Sequence, residues 1–492
     1  MMPRGLFLMI VLALCLALSA SAPRSRAKMS LVINFDVEDY VTPEPEGIDD
    51  IPKWLAETMT EGGATGTFFV IGEKARSLEK RGRRDVIEAM ARHDIGSHTN
   101  FGSIHPTVTE QLEKADWDGG VRLMTAQESA GVKEIERIFG RPVRTLARHG
   151  GSYGPQLVCA LGRMGLGYTG SPVSLPGRDV VWFANALNFS TQYDGFDDTY
   201  YRDDLFGPHL AKLEADLPRL AENHEVVSLF AGHPTKIRAE EFWDLNFYDG
   251  NNPAPGEWRA PRLRPLETMA TARKNFRRLV KYLKSRSDIE VTSFGNLMDL
   301  YVDQREFLTR DELVEVARRT LKGAALFMSE HLSPAEALAG LAESIEDYRR
   351  EGRLPKTVKT IHPLGPLEIP ISVPETARVT LADVYGLAEA CLAHLREAGA
   401  MPEFGQAGER KIGAGSLFAL FSYVYLDMVS GRPKSEYGVP AFEPYPKTFE
   451  KPIIEAVMGL KSWPVHRRDL DMSRIADLTR AQLWTLKPAH RR

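Results

Sequence analysis

Three carboxylates follow directly on an apolar run. In "LVINFDVEDY", Leu31, Val32, Ile33 and Phe35 lead into Asp36, Glu38 and Asp39. Like charges so close together repel one another unless a cation, a basic group or open solvent lies among them. Imidazoles are available in two other places. "HDIGSHTNFGSIHPT" sets His98 and His105 in a Gly, Ser and Thr-rich loop after a short apolar run, and "SLFAGHPTK" closes the apolar stretch 226–230 with His233. Two histidines and a carboxylate are a sufficient set for zinc, with a position left for water. Taken singly, each feature has a plainer account: a solvated acidic loop, hydrogen-bonded loop histidines, a histidine capping a strand. Arg148, in "LARHGGSYG", ends a further apolar run, where it can orient a carboxylate or serve as an ordinary surface arginine. The two glycines after His149 let backbone approach a ligand.

The elements around these residues argue for convergence. From Met29 to about Tyr301, short apolar runs ("LVINFD", "TGTFFVIG", "HDIGSH", "VRTLARHGG", "LGYTGS", "VVWFANALNF", "EVVSLFAGH", "DIEVTSFG") alternate with helical patterns. That alternation predicts an α/β fold of parallel strands and crossover helices, closed as a barrel or left as an open sheet. Such folds place their sites at the C-terminal ends of the strands, where these polar residues stand.

Beyond residue 305 strand signals give way to helix caps at Thr309-x-x-Glu312, Ser333-Pro334-x-Glu336 and Thr380-x-x-Asp383. The division expected is 29–305 for the α/β part and 306–492 for a mainly helical C-terminal domain. Within the latter, 333–356 resembles 380–403, with Gly-Leu-Ala-Glu at 340–343 recurring at 386–389, an offset of 46 residues.

A length of 492 residues implies more than one domain. The 62 basic against 66 acidic residues, for a formal charge of -4, give no reason to expect nucleic acid as a partner. Residues 1–28 carry a basic start, an apolar run from Leu6 to Leu18 and small residues after it, the pattern of a signal peptide, or of an N-terminal anchor if uncleaved. Export follows as the expectation: secreted, periplasmic or attached to the cell envelope. Beyond that segment only Cys159 and Cys391 remain, so a metal would be held by His and carboxylate.

Taken in order, "NFDVED", "GTFFVIG", "RHDIGSHT…HP", "RHGGSYG" and "LFAGHP" resemble the motifs of the NodB-type polysaccharide deacetylases, carbohydrate esterase family 4, over about residues 29–301. The resemblance implies a distorted NodB-type (β/α) barrel and removal of N-acetyl or O-acetyl groups from a cell-wall or extracellular polysaccharide. It implies a divalent metal, zinc first, on His98, His105 and Glu38 or Asp39. Asp36 becomes the base, His233 the acid, Arg148 an orienting residue, and a backbone N–H near Tyr153 the oxyanion donor. This chain departs from the pattern in the seven-residue spacing of His98 and His105, where the family has four. It also has Asp36-x-Glu38-Asp39 for adjacent aspartates, no proline after Arg148, and "GYTGSPV" in place of the later aspartate-tryptophan motif. A metal-free hydrolase of small amides or cyclic ureides, or an exported glycan-binding protein with a degenerate catalytic domain, are the competing readings. The C-terminal repeat resembles pseudomurein-binding repeats, which implies attachment to a cell-wall polymer.

Overall fold

A computed structural model describes residues 28–193, 195–303, 305–323, 328–371, 378–447 and 449–492; all but the last residue of the segment read as a signal peptide or anchor lies outside these. No helix among the described residues is long and apolar enough to cross a membrane.

The central strand is β1 (Met29–Val37), nine residues buried almost throughout. Covered on both faces, it reads as a continuous apolar run rather than an alternating one. Its C-terminal half pairs in parallel with β2 (Thr67–Val70), which is followed by β3 (Asp94–Ser97), β4 (Thr145–Ala147) and β5 (Gly167–Thr169). Beyond β5 the sheet continues through β6 (Val180–Phe183) and β7 (Ala186–Phe189), an antiparallel hairpin whose β7 lies beside β5. On its other side β1 pairs with β9 (Val226–Gly232), and β9 with the short β8 (Gln192–Tyr193); β10 (Ile289–Thr292) pairs with the first half of β1. This is a curled sheet of mainly parallel strands flanked by helices, the α/β architecture expected from the sequence. The register of β1 with β9 slips by one residue between Asn34 and Phe35, and Gly232 at the slip has φ +113°. A β-bulge of this kind re-aims the residue that follows, here His233.

The C-terminal part is helix-rich and has its own core. It contains two β-α-α-β units. The first runs β11 (Phe307–Thr309), helices Arg310–Gly323 and Pro334–Glu351, and β12 (Thr357–Lys359), with β11 antiparallel to β12. The second runs β13 (Arg378–Thr380), helix Leu381–Ala398, the hairpin β14 (Phe404–Ala407) and β15 (Arg410–Gly413), helix Ala414–Val429, and β16 (Glu436–Gly438), with β13 antiparallel to β16. Thr309 and Thr380 open the first helix of each unit, with Glu312 and Asp383 returning the bond to the cap backbone. The sequence repeat is therefore not the structural one: it aligns the second helix of the first unit with the first helix of the second. Its apolar positions, among them Leu338, Leu341, Ile345, Val384, Leu387 and Leu392, are buried in the shared core.

The parts expected at 29–305 and 306–492 are not separate bodies. After β16 the chain returns to the barrel, where Ile453, Val457, Leu470, Met472, Ile475, Leu478 and Leu483 join the barrel's own core. The last strand, β17 (Lys487–Pro488), adds antiparallel to β6. Lys487 Nζ binds Asp303 and lies 2.7 Å from Glu336 Oε1, joining the barrel's exit, the first β-α-α-β unit and the C-terminus through a largely buried ion cluster.

Candidate active site

The polar ends of β1, β3, β4 and β9 meet at one edge of the sheet. Asp36, the next-to-last residue of β1, and Glu38 just beyond it face His98 directly after β3, His149 from the loop after β4, and His233 directly after β9. Glu38 sits at the centre. Its Oε2 accepts a hydrogen bond from the Trp243 indole N–H at 3.0 Å and lies 3.5 Å from His149 Nδ1; its Oε1 lies 3.1 Å from His233 Nε2 and 4.0 Å from His98 Nε2. Asp36 Oδ2 is 3.5 Å from His98 Nε2 and 3.8 Å from His233 Nε2. Glu38 is 2% exposed, whereas the side chains of Asp36 and His233 are 15% and 22% exposed, so the cluster opens on their side.

Each imidazole is fixed by what its other nitrogen touches. His98 Nδ1–H donates to the Ala147 carbonyl at 3.2 Å, which leaves Nε2 unprotonated and turned to the carboxylates. His149 Nε2 meets Ser103 Oγ at 3.0 Å, and its Nδ1 is buried without a hydrogen-bond partner. Burial, with neighbouring positive charge, pushes the His98 pKa down to about 3 and that of His149 well below its ordinary value, so both rings are neutral. For Asp36, burial dominates and lifts the carboxyl to about 7, against the opposing pull of His233 and Arg148. Burial likewise raises Glu38 well above the usual carboxylate range. Burial disfavours the charged form of His233, but Asp197, Glu38 and Asp36 outweigh it and raise its pKa to about 10.

Asp197 is the fixed partner of His233. Its Oδ1 accepts from the His233 backbone N–H at 2.7 Å and its Oδ2 lies 3.0 Å from His233 Nδ1. Burial would raise the Asp197 pKa, yet His233 and Lys236 bring it down to about 2. Sequence reasoning missed Asp197, which lies in "DGFDDTY" far from any motif. The only pointer was that a histidine at a strand end needs something to orient it.

Of the other residues expected from sequence, Asp39, His105 and Tyr153 stand outside the cluster. Asp39 accepts from the backbone N–H groups of Val41 and Thr42 and from the hydroxyls of Thr42 and Thr235, which uses both oxygens to fold the chain after β1. Glu38 is the carboxylate that the structure sets among the histidines. His105 is held by Glu110 Oε2 at Nδ1, 2.7 Å, and by the Phe247 carbonyl at Nε2, 2.9 Å, so neither nitrogen is free. His149 occupies the place expected of His105. The signal was the residue itself: a histidine where the resembling motif has proline, adjacent to Arg148. Tyr153 is wholly buried, and its backbone N–H donates to Thr109 Oγ1 at 2.8 Å, so it offers no donor to a substrate. Arg148 Nε donates to the Gly170 carbonyl at 2.7 Å, and its charge acts on Asp36.

Glu38, His98 and His149 each present a ligand atom, all within 4.8 Å of one another, and Asp36, Glu38 and His233 form a second, overlapping group. Two neutral imidazoles, one with an orphaned buried nitrogen, around a carboxylate fit the donor chemistry of zinc.

No family model matches the chain, and no curated protein does. Solved structures similar to it include PuuE allantoinase, 12% identical over 56% of this chain and 91% of that one, TM-score 0.37. The peptidoglycan deacetylase PdaC from Bacillus subtilis is 12% identical over 56% and 91%, TM-score 0.29. A carbohydrate esterase family 4 pseudoenzyme from Bacillus anthracis is 13% identical over 56% and 66%, TM-score 0.30.

Proposed function

We propose that this protein is a metal-dependent hydrolase that removes N-acetyl, or O-acetyl, groups from a cell-wall or extracellular polysaccharide. The observation that carries this reading is the placement of Glu38, His98 and His149 beside Asp36 and the Asp197-held His233, which share Glu38 as a neighbour. Zinc on those three residues would act as a Lewis acid toward the acetyl carbonyl and lower the pKa of water. Asp36, at the open side of the cluster, takes the proton of the attacking water. His233, kept charged by Asp197, gives a proton to the departing sugar nitrogen or oxygen. Asp197 holds the His233 ring through Nδ1 and so keeps Nε2 turned to the reacting groups. The products are acetate and the free amino sugar or hydroxyl.

In this reading the chain is exported through residues 1–28 and meets its substrate outside the cytoplasm. The test joins metal analysis of purified protein to acetate release from a panel of N-acetylated and O-acetylated polymers. Stoichiometric zinc with acetate release lost to a chelator and restored by zinc supports the proposal. Amide hydrolysis without bound metal would favour the metal-free alternative, and glycan binding without acetate release the degenerate one.

A further inference from the structure

The wall of the cluster on the side of the 148–153 loop is built by the far end of the chain. Trp463 lies edge-on to the His149 ring, with centroids 5.2 Å apart and planes at 85°, and in the same way against His466, 5.0 Å and 87°. Gly150, next to His149, has φ +49°, and a Cβ there would collide with the Trp463 ring. A Cβ on Gly151 would meet His466 Nε2 and the Leu460 carbonyl, each at 2.6 Å. The Gly-Gly that sequence reading assigned to a ligand's approach thus receives the protein's own C-terminal segment.

That segment is tied to three stretches of the barrel edge, around residues 110–113, 249–250 and 151. Glu110 Oε1 accepts from the Arg467 backbone N–H at 3.0 Å, and Glu113 accepts from the Arg467 guanidinium at 2.6 Å and the Asp471 N–H at 2.8 Å. The N–H groups of Asp249 and Gly250 donate to the carbonyls of Pro464 and Val465 at 2.8 and 3.1 Å, and His466 Nε2 faces the Gly151 carbonyl at 3.3 Å. The indole therefore sits on a braced support and not on a loose tail.

We propose that Trp463 is a positioning residue for the metal cluster, holding His149 in the one ring orientation that turns Nδ1 to Glu38 and Nε2 to Ser103. The proposal rests on the metal reading above. His98, 4.8 Å away and edge-on, packs against the same ring. Without the indole, His149 loses packing on the Trp463 side, and rotamers that turn Nδ1 away from Glu38 become accessible.

The test is zinc affinity, by competition with a chromophoric chelator, for the full chain and for Trp463→Ala, Trp463→Leu and Trp463→Phe, with thermal unfolding of each zinc-free protein as the control. Trp463→Ala and Trp463→Leu should weaken zinc binding by roughly 10- to 100-fold, and Trp463→Phe, which restores an aromatic edge, should recover most of it. If Trp463→Ala does not fold, Trp463→Leu, which keeps bulk without a ring edge, carries the comparison. Wild-type affinity in a folded Ala or Leu variant, or a Phe variant as weak as Leu, overturns the inference and leaves the metal reading standing. A wild-type chain that binds no zinc removes both.

Discussion

On the proposed zinc reading, His149→Ala removes one of three donors, and a site of two does not retain the ion, so metal analysis should show occupancy falling close to none. His105→Ala is the control on the same edge. It keeps the zinc and instead loses the charge-assisted bond to Glu110, at a cost of roughly 1–3 kcal/mol measured by urea unfolding. Zinc lost from His105→Ala and retained in His149→Ala would reverse the assignment made from the geometry. Asp36→Asn separates binding from chemistry: the carboxamide keeps the shape but accepts no proton, so zinc stays while kcat falls by roughly 100-fold or more. Wild-type kcat in that variant would exclude Asp36 as the base.

The loop after β4 carries Arg148, His149 and the two glycines, and it works only because it can lie flat against the C-terminal segment. Gly150→Ala meets two penalties, a left-handed φ of +49° and a collision with Trp463. The first alone costs about 1–2 kcal/mol. A fall in the thermal midpoint together with weaker zinc binding is the expected outcome, since the same displacement moves His149. A stable variant with unaltered zinc affinity would show that the loop and the segment are not coupled. On β9, the bulge before His233 has a parallel role: Gly232 keeps the strand close to Asp197, whose Oδ1 would lie 2.7 Å from a Cβ at that position.

Across the whole molecule, the C-terminal return should make the two sequence-defined parts interdependent. A piece ending at Arg305 would leave open the barrel surface that Ile453, Val457, Ile475, Leu478 and Leu483 cover, each worth about 1.5–3 kcal/mol when fully buried. Such a piece should be insoluble or loosely packed, as near-ultraviolet circular dichroism would reveal; a cooperative melt matching the full chain's would contradict this. The buried ion cluster adds a pH dependence. Burial would raise the Glu336 carboxyl, but His362, Lys487 and the Ser333 cap bring it below its ordinary value, and Lys487 and His362 do the same for Asp303. Carboxyls depressed in the folded state contribute stability that is complete above their ordinary pKa, about 4, and lost as pH falls through the folded values. The thermal midpoint should thus drop below about pH 4.5, and Lys487→Met should cost roughly 3 kcal/mol at neutral pH by leaving two largely buried acids with His362 as their one shared cationic partner.

What the sequence determined by itself is what rests on local order along the chain. Apolar runs alternating with helical periods define the parallel strands. Polar residues at the ends of those runs collect at one edge, which already places Asp36, Glu38, His98, Arg148 and His233 near one another. Helix caps at Thr309, Ser333 and Thr380 likewise follow from neighbours three residues apart. Only the tertiary structure decided which polar residue meets which. Asp39 and His105 have the right types, but turn hydrogen bonds and Glu110 occupy them. Asp197 lies outside the motifs and reaches the cluster by binding His233, which the bulge in β9 aims, and His149 stands where the resembling motif has proline and is carried in by the loop after β4. The segment around Trp463 lies more than 300 residues from His149 in sequence, and no spacing rule connects them. Their contact exists because the C-terminal helices have apolar faces that are buried only against the barrel, and burying them there draws the indole onto the site.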